Sequence, residues 1–239
     1  MPLAQEVSVI LPALIPDSKF QRCIAAIRAA FTYRIKYEII CVVRDINLFD
    51  AYYGDDIKYL EEDYPSIYGA MNNGLKEAKG RYLYFIGQDD ILLPCSANAI
   101  IDGMNYAADM ILANVFYGGY GVYKNRRSRT SLVWSNWCHQ GILYDRIKFI
   151  NTVKSYPVEF KTQADHYSNI VFSGIPNIKI LKYTKCIAWY SSEGYSSQFK
   201  DNVFRDKFPK IVLQNFGYFQ YVVVVVRRII LKLIAFLGS

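Results

Sequence analysis

The chain is poor in the side chains that build disulfide frameworks and metal clusters. Its 239 residues include two His and five Cys, and the Cys are scattered, with none in C-x-x-C spacing. An odd number of isolated Cys predicts neither a disulfide framework nor a zinc site. The N-terminal stretch MPLAQEVSVILPAL also lacks the basic region and the small-residue cleavage site of a signal peptide. We therefore expect a protein of the reducing cytoplasm.

An apolar run long enough to cross a bilayer is missing as well, because two Arg and a Lys interrupt the apolar C-terminal segment Tyr218–Leu237. Residues 200–239 hold seven Lys or Arg against two Asp, and they account for most of the net charge of +7. A basic, apolar segment flanked by aromatic residues is typical of helices that lie in the interface of an anionic leaflet. We predict a membrane-associating tail over 200–239, peripheral on the inner face of the cell membrane, after a domain over 1–199.

Two other interpretations of this tail stay open. The segment would also suit a core or dimer-forming helix, and Val222–Val226 would suit a buried strand. A nucleic-acid partner is disfavoured, because the basic residues stand among large aliphatic side chains and not among exposed polar groups.

The body of the chain alternates between strand and helix patterns. It is 52% hydrophobic and 16% aromatic, which argues against disorder. Such β-α-β order predicts an α/β fold with a mostly parallel sheet flanked by helices on both faces. The predicted strands are Val7–Leu11, Tyr37–Val43, Tyr82–Ile86 and Met110–Phe116, and the predicted helices begin near Asp17 or Ser18, after Ser66 and at Pro94.

The most informative stretch runs from Ser66 to Asp90. A helical pattern ends at Gly80, a continuous apolar run with strand propensity follows, and Asp89 and Asp90 come where that strand ends. Ligands of open α/β sheets bind beyond the carboxyl ends of the strands, so an acidic pair there would meet a metal ion and a phosphate. A polar turn without function is the alternative, since Asp is common in turns.

Six segments in this order resemble family 2 glycosyltransferases, above all the small bacterial enzymes that build O-antigen, capsule and colanic-acid repeat units. The resemblance covers about residues 6–197. It implies a GT-A (Rossmann-like) fold, a nucleotide-sugar donor, a divalent metal and inversion at the anomeric carbon. The segments are VSVILPA, YEIICVV, EEDYPSIYGAMNNGLKEAKGRYLYFIGQDD, CHQGILYDRIKF, QADHYSNIVFSG and IAWYSSEGYSS.

The resemblance assigns the two carboxylate roles that this chemistry needs. Asp89 and Asp90 match the family's metal-binding acids, and we take Asp90 as the direct ligand of Mn²⁺ or Mg²⁺, which would neutralise the leaving diphosphate. Asp165 matches the catalytic carboxylate that deprotonates the acceptor hydroxyl. Its alternative role is that of an acid at a helix N-terminus, stabilised by the macrodipole.

Further positions follow from the same resemblance. Asp45 comes later after its strand than the family's base-reading acid, and Gly69 replaces a frequent Asp. Asn72 would also suit a polar helix face, and His139 and Trp137 would also suit the core. The predicted donor site comprises Pro12, Ala13, Asp45, Asp63, Asn72 and Gln88, and the predicted acceptor or diphosphate site comprises His139, Gln140 and Trp137.

Two loops complete the predicted site. The basic loop from Lys124 to Arg129 would meet an acceptor diphosphate or remain solvated. Residues 191–197, SSEGYSS, would close over the acceptor. Trp134 is a further candidate platform for a sugar ring.

The predicted function is an inverting transfer of a sugar, from a nucleotide-diphosphate donor such as a UDP-sugar to an undecaprenyl-diphosphate-linked sugar in the cytoplasmic leaflet. Two alternatives remain. A sugar nucleotidyltransferase would carry a Gly-rich basic phosphate loop after the first strand, and LPALIPDSKF has none. A non-catalytic membrane-associated scaffold with this fold is the other.

Overall fold

The computed structural model describes residues 5–52, 54, 56–125, 128–191 and 201–237, without the side chains of 50–52 and 237. Within these ranges the strands are β1 Val7–Ala13, β2 Tyr37–Val43, β3 Ile57–Glu61, β4 Tyr82–Phe85, β5 Ile91–Leu92, β6 Met110–Tyr117, β7 Gly121–Tyr123, β8 Ile142–Asp145 and β9 Ile180–Tyr190. The helices are α1 Ser18–Phe31, α2 Ile67–Glu77, α3 Cys95–Tyr106, α4 Arg146–Thr152, α5 Ala164–Ser173, α6 Asn202–Phe216 and α7 Tyr218–Leu237. Short 3-10 helices cover Ile46–Tyr52, Arg129–Val133 and His139–Gly141.

The strands form one mixed sheet in the order β3-β2-β1-β4-β8-β6-β9-β5, with β7 paired to β6. The half made of β3, β2, β1 and β4 is entirely parallel. In the other half β6 and β9 are parallel, whereas β8 runs antiparallel to both β4 and β6. The α/β prediction is confirmed, and the parallel character is concentrated in the half that begins the chain.

Both faces of β1, β2 and β4 are largely buried, which explains why these strands carry nearly continuous apolar runs, whereas the edge strand β3 includes exposed polar residues. Successive side chains of a strand point to opposite faces. In β1, Val9 and Leu11 therefore join the core beneath α1 and α3, while Ile10 joins the core beneath α2 and α4–α7. The same alternation separates Tyr84 from Phe85 in β4.

Side-chain caps mark the helix starts that the sequence predicts. Asp17 accepts a hydrogen bond from the Phe20 backbone N at 2.9 Å, and Ser66 accepts one from Gly69 N at 2.9 Å. Such caps satisfy backbone donors that have no partner inside the helix. Pro94 lies immediately before α3. The predicted starts of the first three helices are thus confirmed.

The C-terminal tail is helical. Gly217, at φ +83°, separates α6 from α7, a backbone conformation that suits glycine. Val222–Val226 lies inside α7, so the strand interpretation is wrong. Val224 is buried in the same core as α5 and α6, so residues after 200 share a core with the rest of the chain. The boundary near residue 200 stays a prediction about membrane association.

The far half of α7 is unlike its first half. Large apolar side chains there are half or more exposed, and they lie on all sides of the helix: Ile229, Ile230, Leu231, Leu233, Ile234 and Phe236. No helix in the described ranges is long and apolar enough to cross a membrane.

Candidate active site

The carboxyl ends of β1, β2, β3 and β4 lie along one edge of the sheet, because these strands are parallel. Gln88, just after β4, ties this edge together. Its Oε1 accepts a hydrogen bond from Leu14 N at 2.6 Å, directly after Pro12 and Ala13 at the end of β1. Its Nε2 donates to the Ile15 carbonyl at 3.3 Å. The structure therefore brings Pro12, Ala13 and Gln88 together beside the acidic pair.

Asp90 is buried, with 2% of its surface exposed, and both of its oxygens accept hydrogen bonds. Oδ1 accepts from Ser191 N at 3.0 Å, and Oδ2 accepts from Gly87 N at 3.1 Å and from Gln140 Nε2 at 3.0 Å. Burial raises the pKa of Asp90 to about 7, against the opposing effect of these hydrogen bonds. Asp90 thus joins the ends of β4 and β9 to the segment that carries Gln140.

The two acids of the pair differ in environment, which bears on which of them would bind a metal ion directly. Asp89 is partly exposed, and no hydrogen bond or ion pair engages its carboxylate among the residues described. A Cβ on Gly87 would lie 2.9 Å from Asp89 Oδ1 and 3.1 Å from Asp90 Oδ2, so the two carboxylates border one small space that glycine leaves open. Asp89 is the acid with oxygens free to face a ligand.

The donor set suits a hard divalent cation. No group of three or more His, Cys, Asp or Glu that would hold a metal is present in the part of the chain described. Mg²⁺ is commonly held by one or two carboxylates and completed by substrate phosphates and water, and not by a full protein cage. Asp89, with Asp90 behind it, fits that pattern.

The predicted His-Gln pair divides into two environments. Gln140 contacts Asp90, as described above. His139 is buried among the rings of Phe85, Tyr144 and Tyr156, with centroids 5.4, 6.4 and 6.0 Å away, and its ring nitrogens have no hydrogen-bond partner among the described residues. Burial lowers the pKa of His139 to about 4, so the ring is neutral. The predicted diphosphate contact is not supported for His139, which is a core residue.

Asp165 lies in the first turn of α5 and is held by two donors. Tyr68 OH donates to Oδ1 at 3.0 Å, and Asn136 Nδ2 donates to Oδ2 at 2.7 Å. Burial raises the pKa of Asp165 to about 6, and these two hydrogen bonds oppose the rise. A carboxylate with a pKa in this range is ionised at neutral pH yet basic enough to accept a proton.

A directed chain of hydrogen bonds lies behind Asp165. Tyr144 OH donates to Asn169 Oδ1 at 2.6 Å, and Asn169 Nδ2 donates to Asn136 Oδ1 at 2.8 Å. Asn136 Oδ1 also accepts from Trp137 N at 2.9 Å, which fixes the amide so that its NH₂ faces Asp165. Every donor in the chain points toward the carboxylate. Such a buried network holds the acid in one orientation.

Sequence reasoning missed these supporting residues. Tyr68, Asn136 and Asn169 stand in segments of mixed polar and apolar residues, and no spacing distinguishes them from solvated positions. Only the fold, which places α2, α5 and the segment before β8 side by side, reveals their role.

One short segment connects the two acidic centres. Asn136 contacts Asp165, and Gln140, four residues later, contacts Asp90. Four residues span at most roughly 14 Å when fully extended. Residues 136–140 therefore link the two carboxylate centres directly, one at each end of the segment.

Asp45 and Asp63, two further residues of the predicted donor site, have different partners. Asp45 follows β2 and accepts hydrogen bonds from the backbone N and the side chain of Asn47 at 3.0 and 2.9 Å. Asp63 is exposed and forms an ion pair with Lys76 at 2.9 Å. Both lie near the carboxyl edge of the sheet, after β2 and β3.

Asn72 has a structural role in place of the predicted donor contact. Its amide exchanges two hydrogen bonds with the backbone of Tyr156, at 2.8 and 2.7 Å. Tyr156 stacks on Tyr68, with ring centroids 5.6 Å apart. Asn72 therefore supports the tyrosine that contacts Asp165. The glycine at position 69, where the family often has Asp, also has a structural reason. The Tyr64 carbonyl oxygen lies where the Cβ of any other residue would be.

The two Trp that were candidates for contact with a sugar, Trp134 and Trp137, differ in exposure. Trp137 is 2% exposed and donates to Ser131 Oγ at 3.3 Å, so it is a core residue and the predicted sugar contact is not supported. Trp134 is 54% exposed, and Arg227 of α7 lies over its ring at 5.0 Å. In the loop from Lys124 to Arg129, residues 126 and 127 lie outside the described residues, as do 192–197 of the predicted closing loop.

Comparison with known proteins identifies the class to which this fold and site belong. The family model described as glycosyl transferase family 2 matches residues 8–164, more than half of the chain. The chain therefore belongs to glycosyl transferase family 2, and the predicted enzyme class, a glycosyltransferase, is confirmed.

Particular relatives agree with this membership. The chain is 27% identical over 192 residues to a PGL/p-HBAD biosynthesis glycosyltransferase of Mycobacterium bovis, which covers 76% of this chain and 72% of that protein. Its Mycobacterium tuberculosis counterpart matches to the same extent.

Solved structures confirm the GT-A fold. S. aureus TarS in complex with UDP-GlcNAc superposes with a TM-score of 0.72 at 15% identity, over 87% of this chain and 66% of TarS 1-349. The mannosyltransferase PcManGT of Pyrobaculum calidifontis, in complex with GDP-Man and Mn²⁺, gives a TM-score of 0.60 at 13% identity, over 90% and 64%. The chain thus spans slightly less than two thirds of either structure.

Proposed function

We propose that this protein is an inverting glycosyltransferase that moves a sugar from a nucleotide-diphosphate donor to a lipid-diphosphate-linked sugar in bacterial surface polysaccharide synthesis. The observation that carries the proposal is the pair of acidic centres joined by residues 136–140. One is the partly exposed carboxylate of Asp89 at the strand edge, and the other is the partly buried carboxylate of Asp165, whose pKa is raised.

On the donor side, Asp89 would hold Mg²⁺ or Mn²⁺, and a divalent cation there supplies neutralisation of the charge that develops on the leaving diphosphate. Asp90 and Gln140 do not reach the ligand in this scheme. Their mutual hydrogen bond at 3.0 Å, together with the bond from Gly87 N, fixes the turn that presents Asp89. The ends of β1 and β2, with Pro12, Ala13 and Asp45, would contact the nucleotide.

On the acceptor side, Asp165 takes the proton of the attacking hydroxyl. Tyr68 and Asn136 orient the carboxylate by donating to its two oxygens. Burial raises the pKa of Tyr68 well above its usual value and the charge of Asp165 adds to that effect, so Tyr68 remains a donor while Asp165 is ionised. In this scheme Asp165 lies on the face of the donor sugar opposite the leaving diphosphate, so the displacement inverts the anomeric carbon.

The choice of UDP-sugar donor rests on likeness. TarS was solved with UDP-GlcNAc and PcManGT with GDP-Man, and the proposed UDP-sugar follows TarS, which has the higher TM-score of the two. The lipid-linked acceptor is supported by the far half of α7. Its exposed apolar side chains and the exposed Lys232 among them suit the surface of an anionic leaflet.

A panel of nucleotide sugars tests the proposal. The protein is incubated with each donor, Mn²⁺ or Mg²⁺, and a synthetic lipid-diphosphate sugar, and products are read by mass spectrometry. We expect one donor to yield a product one sugar heavier, with loss of the product in EDTA and in Asp165→Asn. A correctly folded protein that transfers no sugar from any donor, or an Asp165→Asn variant of normal activity, would contradict it and favour a scaffold.

A further inference from the structure

A cavity of about 550 Å³ opens beside Asp165, between the segment before β8 and the two C-terminal helices. Asn136, which donates to Asp165, and Gln163, two residues before it, lie in its wall. The opposite wall comes from α6 and α7 and contains Arg205, Arg227 and Arg228. Three guanidinium groups therefore line a space adjacent to the proposed base.

The positive charge of this cavity is compensated only in part, because three Arg line it against Asp201 in the lining and Asp206 beside Arg205. Arg227 stacks on Trp134 and donates to the Val133 carbonyl at 3.3 Å, and Arg228 donates to the Arg205 carbonyl. No carboxylate forms an ion pair with Arg227 or Arg228 in the described ranges, and Arg205 has only its exposed neighbour Asp206, at 3.8 Å.

The other titratable groups of the lining are Asp201, which offsets one of the three Arg charges, and His166. Asp201 is present, but its two oxygens accept from the backbone N of Phe204 and of Thr162, each at 3.0 Å. His166 is neutral, since burial lowers its pKa to about 4, and its Nε2 lies 2.7 Å from the Leu132 carbonyl. The cavity therefore has the net positive charge and the guanidinium N–H donors that an anion requires.

We propose that this cavity binds the phosphate groups of a prenyl-diphosphate-linked acceptor. The inference rests on the proposed function and names the acceptor subsite. Guanidinium groups pair with phosphate oxygens through two parallel N–H donors. The remaining wall includes the apolar side chains of Phe208, Val224 and Leu231.

The location of the cavity along α7 favours a diphosphate that carries a lipid chain over a free anion. Leu231 lines the cavity, and the exposed apolar part of the helix continues from there through Ile234 and Phe236. A diphosphate held by Arg227 and Arg228 would therefore leave its prenyl chain along the surface of α7. The sugar on the other side of the diphosphate would face Asn136 and Asp165. The site is separate from the strand edge where Asp89 lies.

Binding of geranyl diphosphate to the full chain tests this subsite. Titration calorimetry is done without donor and in EDTA, so that no metal at Asp89 recruits the probe. Wild type is compared with Arg227→Gln, Arg228→Gln and the control Lys210→Gln, which removes one positive charge from an exposed position of α6 outside the cavity. Thermal melting confirms folding, and Arg227→Lys provides a milder variant that keeps the charge but loses the planar fork.

We expect wild type and Lys210→Gln to bind within twofold of each other, the two Arg→Gln variants to bind at least tenfold more weakly, and inorganic diphosphate to bind more weakly than the prenyl form. The subsite is overturned if wild type fails to bind, if folded Arg→Gln variants bind normally, or if Lys210→Gln weakens binding equally. Binding of the protein to phosphatidylglycerol vesicles is measured with the same variants. If Arg227→Gln and Arg228→Gln weaken vesicle binding as much as they weaken binding of geranyl diphosphate, the two Arg serve bulk membrane contact and the subsite is also overturned. Binding of UDP with Mn²⁺ is measured in parallel, so a failure of the proposed transfer is seen separately.

Discussion

Two adjacent aspartates after β4 have different environments. Their difference in burial is the basis for proposing Asp89 as the metal ligand and Asp90 as its structural support. Asp90 accepts three hydrogen bonds within the protein, whereas Asp89 is partly exposed at the strand edge. An acidic pair in a sequence shows that charge is present, but it does not show which carboxylate turns inward. That depends on Gln140 and Ser191, which are 50 and 101 residues away.

Substitution of each aspartate by Asn separates these roles. Asp89→Asn should lower turnover on the order of 100-fold, because transition-state charge loses its support, while the melting temperature stays near that of wild type. Asp90→Asn places an NH₂ group against donors that need an acceptor, so we expect a loss of about 1–3 kcal/mol of stability, a shift of several degrees. Differential scanning calorimetry and donor turnover measure both. The reverse pattern would restore Asp90 as the ligand.

The second residue-scale prediction concerns pH. The base acts in its ionised form, and the pKa of Asp165 is raised to about 6, so kcat/KM should fall about tenfold per unit as the pH drops below that value. Tyr68→Phe removes a hydrogen bond that favours the ionised form. The pKa of Asp165 then rises, and the acidic limb of the profile should move to higher pH.

Tyr64→Phe is the matched control, because Tyr64 is exposed in the loop just before α2. Its profile should coincide with that of wild type. An acidic limb that Tyr68→Phe leaves in place would mean that Asp165 is not the group that titrates.

At the scale of elements, the strands with long apolar runs, β1, β2, β4 and β6, are predictable from sequence, whereas β3 and the short strands are not. Strands buried on both faces carry continuous apolar runs, and local signals such as Asp17 and Pro94 mark where helices begin. In contrast β5 and β7 are two and three residues long, and β8 inserts between β4 and β6 by antiparallel pairing. Pairings of that kind depend on partners distant in sequence, which no local pattern encodes.

Candidate site residues follow the same division. Asp89 and Asp165 stand at the ends of recognisable elements, so their positions follow from the sequence. His139 and Trp137 are polar or aromatic residues in the same recognisable segment, yet packing against β4 and Ser131 buries them. Burial of this kind arises only when distant elements come together.

The helix α7 supports a prediction of its own. Replacing Ile230, Leu233 and Phe236 by Ser removes apolar area from the exposed half of the helix while leaving Val224 and Arg227 in place. We expect the folded triple variant to lose most of its flotation with phosphatidylglycerol vesicles, since interfacial binding scales with buried apolar area. Tyr33→Ser, a fully exposed site in the turn after α1, is the control. Undiminished flotation of the triple variant would contradict membrane association by α7.

At the scale of the whole molecule, one sheet carries three separate surfaces toward one reaction. In the proposed scheme, the parallel edge presents Asp89 to the donor and α5 presents Asp165 to the acceptor, while α6 and α7 line the cavity next to Asn136 and Gln163. Residues 136–140 hold the first two in register, because they contact Asp165 at one end and Asp90 at the other. In this scheme Asp165 is the base and faces the leaving diphosphate across the donor sugar. The acceptor hydroxyl then displaces the diphosphate directly.

The anomeric configuration of the product tests this central claim most directly. Once the donor is known, proton NMR of the freshly formed glycoside gives the coupling at the anomeric carbon, with Asp165→Asn as the inactive reference. The account predicts a product whose anomeric configuration is opposite to that of the donor, and a product with the donor's configuration retained would contradict it.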